Sequence, residues 1–252
     1  MNVNESDEKM NASNNDQITP LLPITFNVAR ELNCLRTIDS LYVKQRHSAR
    51  EIILDIPSSA KFDIYSNNVR ILQALETSSL LQRLSFGPRR SVTLRIIDNN
   101  NQVVILMKRE SKCGGGCCWF ANVECCNEKM MVESPPGTFI GYVSQEKSYC
   151  RPMFAIKDSN DNHIFTVRGP LGLCDEGLSC RYENKYRLIG TDRITEVGFI
   201  EKRHRGFLTE TFTSADAYFL KIPMDLDLKM KALSLAALFL IEYMFYSTVS
   251  PS

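Results

Sequence analysis

From Ile24 onward the chain alternates short apolar runs with polar turns, and a period of two dominates. Residues 41–57 (LYVKQRHSAREIILDIP) hold a short ambiguous segment and then a β-branched run, Glu51–Ile56. Lys61–Tyr65 alternates, and Val69–Leu75 follows. Val92, Leu94 and Ile96 alternate with Thr93, Arg95 and Ile97. The next residues, Asp98-Asn99-Asn100-Asn101, supply a turn, because Asp and Asn tolerate left-handed backbone. Val103–Met107 then reads as the returning strand of a hairpin. The pattern recurs at Met130–Val132, Thr138–Val143, Phe154–Ile156, Ile164–Arg168, Arg187–Ile189, Ile194–Ile200, Phe207–Phe212 and Tyr218–Ile222. Roughly ten to twelve strands at this spacing, with no helices between them, predict a mainly β fold: an antiparallel barrel or sandwich.

The last segment changes period. Leu228–Tyr246 (LKMKALSLAALFLIEYMFY) is rich in good helix formers, and Asp225 and Asp227 precede it where carboxylates favour a helix start. Apolar groups, Ala232, Leu235, Leu238, Phe239, Ile241 and Phe245 among them, cover every face, which marks a helix surrounded by apolar material. The uncharged part, Ala232–Ile241, reaches about 15 Å, half of a roughly 30 Å hydrocarbon core. Continuing to Tyr246 gives about 22 Å but takes in Glu242, a costly group at bilayer depth. A helix threaded through the barrel is the preferred reading, and a short membrane anchor is the alternative.

Composition narrows the class. With 44% apolar and 23% charged residues the chain is globular, and at 252 residues it forms one domain or at most two. Thirty basic against twenty-nine acidic residues leave a net charge of +1, which argues against a strongly basic nucleic-acid binder. Residues 1–23 read as a polar tail, and its Pro20-Leu21-Leu22-Pro23 has the spacing of an SH3- or WW-type ligand or of a stiff linker. Residues 24–247 form the barrel domain with helix 228–246, and 248–252 a short tail. The N-terminus lacks a signal-peptide pattern, so the nine cysteines are expected as reduced thiols.

Several motifs together resemble one family. Phe212-Thr213-Ser214-Ala215-Asp216, then Ile222–Ala232, then Phe239–Phe245 are similar in order and spacing to the C-terminal signature of the phospholipid scramblases. Ser134-Pro135-Pro136-Gly137 with Ile140-Gly141-Tyr142-Val143, Thr93–Asn99, and Gly169-Pro170 followed by Cys174 resemble further segments of that family. The resemblance covers about Leu35 to Tyr246. It implies a tubby-like fold: a closed antiparallel barrel of twelve strands with a hydrophobic helix through its centre.

The resemblance also implies site residues. A calcium segment would fall on 214–225, with Ser214, Asp216, Tyr218, Leu220, Ile222 and Asp225 as ligands, Tyr218, Leu220 and Ile222 through their carbonyls. Ser214 replaces an acidic residue usual in the family, and Phe219 stands where an EF-hand-like turn needs glycine. The alternative is that Asp225 and Asp227 cap the helix and Asp216 sits in a turn. S-palmitoylation in the family implies Cys113, Cys117, Cys118, Cys125 and Cys126 as acylation sites. Their neighbours Trp119 and Phe120 form an aromatic pair suited to a membrane interface. Zinc is the lesser reading, since the spacing fits no common zinc pattern, and unmodified loop thiols are the third. Lys202-Arg203-His204-Arg205 lies where the family carries a nuclear-import segment; it reads equally as a solvated turn or a binder of anionic headgroups.

No G-x-S-x-G, phosphate loop or adjacent nucleophile and base appears, so an enzyme is not expected. The resemblance implies ATP-independent, bidirectional and calcium-triggered movement of phospholipids at the cytoplasmic face of the plasma membrane. Two alternatives stand beside it: a palmitoylated interaction module without scrambling, and a nuclear DNA-binding regulator.

Overall fold

The alternating segments join into one closed sheet. A computed structural model describes residues 28, 30–46, 60–77, 91–110, 112, 118–149, 151–171, 184–203 and 217–246. Among them twelve strands follow in chain order: β1 (Ser40–Arg46), β2 (Lys61–Ser66), β3 (Val69–Thr77), β4 (Val92–Ile97), β5 (Val103–Arg109), β6 (Lys129–Glu133), β7 (Phe139–Glu146), β8 (Met153–Asp158), β9 (His163–Arg168), β10 (Lys185–Ile189), β11 (Glu196–Arg203) and β12 (Ala217–Lys221). Each pairs with its sequence neighbour, and β12 closes on β1 with Leu41 opposite Leu220 and Val43 opposite Tyr218. The fold is the mainly β antiparallel barrel, one of the two architectures strand spacing predicts, closed and twelve-stranded as the family resemblance implies.

The differences in detail have local causes. The ambiguous segment after residue 40 is the first strand, Ser40–Arg46. β11 starts at Glu196 rather than Ile194, because the Asp192 carboxylate accepts from the backbone N–H groups of Ile194 and Thr195, both at 3.0 Å. That keeps Ile194 in the turn, 85% exposed. The expected strands Glu51–Ile56 and Phe207–Phe212, and the tails 1–23 and 248–252, lie outside the described residues.

Antiparallel order sends successive connections to alternate ends of the barrel. One end carries short turns. Asn67 and Asn68 both take left-handed φ, 48° and 64°, as a two-residue hairpin turn requires. Asp98 accepts from Asn100 N–H (2.8 Å) and Gln102 N–H (2.9 Å), and Asp158 repeats the device with Asn160 (2.8 Å) and Asn162 (2.9 Å). Gly137 supplies φ +92° after Pro135-Pro136, and its N–H donates to Glu133. The other end carries the longer connections 47–60, 78–91, 110–128, 169–184 and 204–216, with 147–152 the shortest there.

Inward positions fill the lumen: Leu94 and Ile96 from β4, Met130 and Val132 from β6, Tyr186 and Leu188 from β10. A helix, α1 (Leu228–Ile241), runs among them and ends in one π-helical turn, Glu242–Tyr246. Asp227 caps its start, accepting from Lys229 N–H at 2.9 Å. Every residue from Lys231 to Ile241 is buried, and the helix packs on β5, β6, β7, β8 and β12. Phe239 meets Phe62 edge-on at 5.3 Å. An apolar helix inside an apolar lumen removes both surfaces from water, each fully buried Leu contributing about 1.5–3 kcal/mol. Among the described residues no helix is long and apolar enough to cross a membrane.

Candidate functional site

Polar groups of the lumen gather at the two ends of α1. At the short-turn end Lys231, fully buried, donates through Nζ to the carbonyls of Ile38 and Met224 (both 2.7 Å) and of Leu35 and Arg36 (both 3.0 Å). Leu32–Leu35 is a 3-10 turn, and the ammonium meets the carbonyls at its end, that of Leu35 also accepting from Ile38 N–H at 3.3 Å. Burial pushes the Lys231 pKa down, against the opposing charges of Asp225 and Asp39.

At the long-loop end the π turn is tied to the wall. Tyr218 Oη donates to Glu242, and Tyr243 Oη donates to Glu76 Oε2 at 3.0 Å. Arg109 donates through Nε to Glu128 Oε2 at 2.8 Å and through Nη1 to the Tyr243 carbonyl at 3.3 Å. Burial raises the Tyr246 phenol pKa. These groups fix the helix within the barrel.

Of the expected calcium positions, the described ones spread along β12 and beyond it. Ser214 and Asp216 lie outside the described residues. Tyr218 and Leu220 sit within β12, paired on one side with β1 and on the other with β11. At about 3.3 Å per residue, Tyr218 and Ile222 are roughly 13 Å apart along the chain, whereas ligands of one calcium ion lie about 2.4 Å from it. Asp225 lies beyond β12 at the short-turn end, near Lys231. Among the described residues no group of three or more His, Cys, Asp or Glu is placed to hold a metal ion.

The cysteine segment bridges β5 and β6 at the long-loop end. Cys113 and Cys117 lie outside the described residues, and Cys118 opens a 3-10 turn, Cys118–Phe120. Cys125 is exposed and Cys126 half-buried, their Sγ atoms 3.7 Å apart. The turn is pinned from below. Asn127 Nδ2 donates to the carbonyls of Ala121 (2.7 Å) and Gln145 (3.0 Å), and Ala121 itself is buried. Trp119 and Phe120 stand out of this base, 55% and 59% exposed, with Trp119 edge-on to Tyr149 at 5.7 Å.

The expected basic patch divides. Strand alternation turns Lys202 inward, 8% exposed, with Nζ 4.0 Å above the Tyr246 ring. Arg203 faces outward, donating to Glu201 at 2.9 Å and lying 4.6 Å above the Phe219 ring. His204 and Arg205 lie outside the described residues. In α1, Ala232, Leu235, Leu238, Phe239 and Ile241 are buried core residues, and Phe245 is half-buried, stacked 6.4 Å from Tyr186. Sequence reasoning missed the Lys231 cage, although a lysine at the edge of an all-round apolar helix was its visible signal.

Comparison with known proteins gives a consistent outcome. The Scramblase family model matches residues 18–248. The chain is 33% identical over 228 residues to phospholipid scramblase 1 of Mus musculus, covering 90% of this chain and 67% of that protein. It is 34% identical over 228 residues to phospholipid scramblase 2 of Homo sapiens, covering 90% and 74%. It is 30% identical over 252 residues to phospholipid scramblase family member 5 of Homo sapiens, covering 96% and 90%. No solved structure matches the chain.

Proposed function

The chain belongs to the Scramblase family, and we propose that it promotes ATP-independent, bidirectional movement of phospholipids between the leaflets of a membrane. The observation that carries this reading is the extent of the family match, which takes in the barrel and α1 together. The obstacle to such movement is the charged headgroup, which is costly to bring into hydrocarbon. The barrel lumen is filled by α1, so we place the crossing in the bilayer beside the protein, where a docked barrel disturbs lipid packing. Acyl chains on Cys113, Cys117, Cys118, Cys125 and Cys126 would hold it there, two being enough for stable anchoring. The cytoplasmic face of the plasma membrane is the proposed site of action, and the nucleus that of the unacylated chain.

Calcium triggering belongs to the proposal with a condition. A site formed from residues 214–225 requires β12 to leave its place between β1 and β11, so calcium would act by opening the barrel seam. The filled lumen favours a second reading, an anchored interaction module that moves no lipid. Dithionite quenching of fluorescent lipid in proteoliposomes, with and without calcium, separates the two. Quenching beyond the outer-leaflet fraction supports scrambling, and loss of a calcium response in Asp216→Ala and Asp225→Ala supports the trigger. Quenching that stops at the outer leaflet in every condition leaves the interaction module.

A further inference from the structure

We infer that the long-loop end of the barrel is a docking face for an anionic phospholipid bilayer, with Trp119 and Phe120 as its wedge. This rests on the membrane reading above and adds to it a surface and an orientation. Three observations carry it.

The first is exposure on a fixed base. Large aromatic side chains gain most from leaving water, and Trp favours the membrane interface, where an apolar body and a polar edge are both accommodated. Trp119, Phe120 and Tyr149 are each more than half exposed. Yet the turn that presents them is held by Asn127, by buried Ala121 and by the Val123 N–H bond to the Phe120 carbonyl at 2.9 Å. A surface already shaped before binding loses little entropy on docking.

The second is the distribution of charge. Arg46, Lys61, Lys147, Arg151, Arg168 and Lys185 rim the long-loop end, against Glu110, Glu124 and Glu146. The opposite tips mix the acids Asp98, Asp158, Asp161 and Asp192 with the cations Arg36, Arg70, Lys157 and Arg193, Lys157 being ion-paired to Asp161. Among the described residues, cations therefore exceed acids at the long-loop end, whereas the two nearly balance at the short-turn tips. An anionic surface favours the long-loop end, which sets the barrel upright on the leaflet. Third, exposed Cys125 follows the aromatic pair on the same connection, so a chain attached there would enter the same leaflet.

The sequence contains one tryptophan, so fluorescence of the full, unacylated chain reports Trp119 alone. With vesicles of phosphatidylcholine and about one third phosphatidylserine, Trp119 emission should move to shorter wavelength and be quenched by brominated acyl chains. The double variant Trp119→Ser, Phe120→Ser should lower co-sedimentation with these vesicles by about tenfold or more. Trp119→Phe should retain most of it, and Ile194→Ser at the short-turn end should bind as wild type. Circular dichroism confirms that each variant is folded. Unchanged emission from vesicle-bound protein, equal loss in Ile194→Ser, or absence of wild-type binding would each overturn the inference. Scrambling is scored separately in proteoliposomes. A chain that docks through Trp119 and moves no lipid keeps this face and loses the proposed function.

Discussion

Replacing Lys231 by methionine tests how the barrel holds its helix. The substitution keeps length and apolar bulk but removes the ammonium that serves four carbonyls at 2.7–3.0 Å. The buried Ile38 carbonyl and those of Arg36 and Met224 lose their ammonium donor, while that of Leu35 keeps the Ile38 N–H at 3.3 Å, and an unsatisfied buried acceptor costs about 1–3 kcal/mol. Relief of the buried charge offsets part of that loss, so the net destabilisation expected is about 2–4 kcal/mol. With a urea slope of about 3 kcal/mol/M, the unfolding midpoint of the full chain should fall by about 1 M. Lys229→Met, in the same helical turn but half-buried, is the matched control and should shift the midpoint little. The pH response adds a second readout. The folded Lys231 pKa lies below its ordinary value of 10.5. Between the two values the unfolded chain binds more protons, so this group makes stability rise with pH across that interval. Lys231→Met should lack that increment relative to wild type. A midpoint equal to or above that of wild type would refute the cage as a stabilising contact.

Three further outcomes are expected. Asp227→Ala removes the cap on Lys229 N–H and should cost about 1 kcal/mol, read as a fall in Tm of about 2–4 °C. Gly198→Ala would place a Cβ 2.2 Å from the Lys221 carbonyl oxygen, forcing β11 from β12. It should destabilise by about 3 kcal/mol or more and abolish soluble expression, whereas normal yield and melting would show that the strands separate easily. Tyr218→Phe removes a donor from buried Glu242 and should cost about 1–3 kcal/mol in chemical unfolding, with no change in far-UV circular dichroism.

The strands were legible because alternation in this sequence coincides with burial: Val92, Leu94 and Ile96 point inward as their spacing implies. The helix was legible from its uniform apolarity and its length, too short for a bilayer. Ile194 misled because alternation carries no information about Asp192, whose turn contacts outrank the apolar side chain. The patch at 202–205 misled for the reverse reason. A run of cations suggests a surface, while the period through Gly198, Ile200 and Lys202 points the lysine inward. The calcium segment looks contiguous as text, but β12 places Tyr218 and Leu220 along a line, an arrangement that spacing alone does not show. Trp119 and Phe120 could be read as an interfacial pair, but not the fixed base that presents them, since that depends on how Asn127 and Ala121 anchor the turn.

The closure of β12 on β1 and the seating of α1 also set when the protein can fold. Lys221 reaches back to Asp39 at 2.5 Å, and Lys231 to Leu35, partners separated by most of the sequence. A ribosome releases the N-terminal strands first. Those strands can pair locally, yet the second edge of β1 has no partner and the apolar side of the sheet no filling until the last segment emerges. Such distant contacts are slow to form, because loop-closure entropy is lost before they contribute. Folding is thus completed after synthesis in one late step, and a chain ending before α1 would hold an empty, water-facing apolar trough rather than a smaller domain.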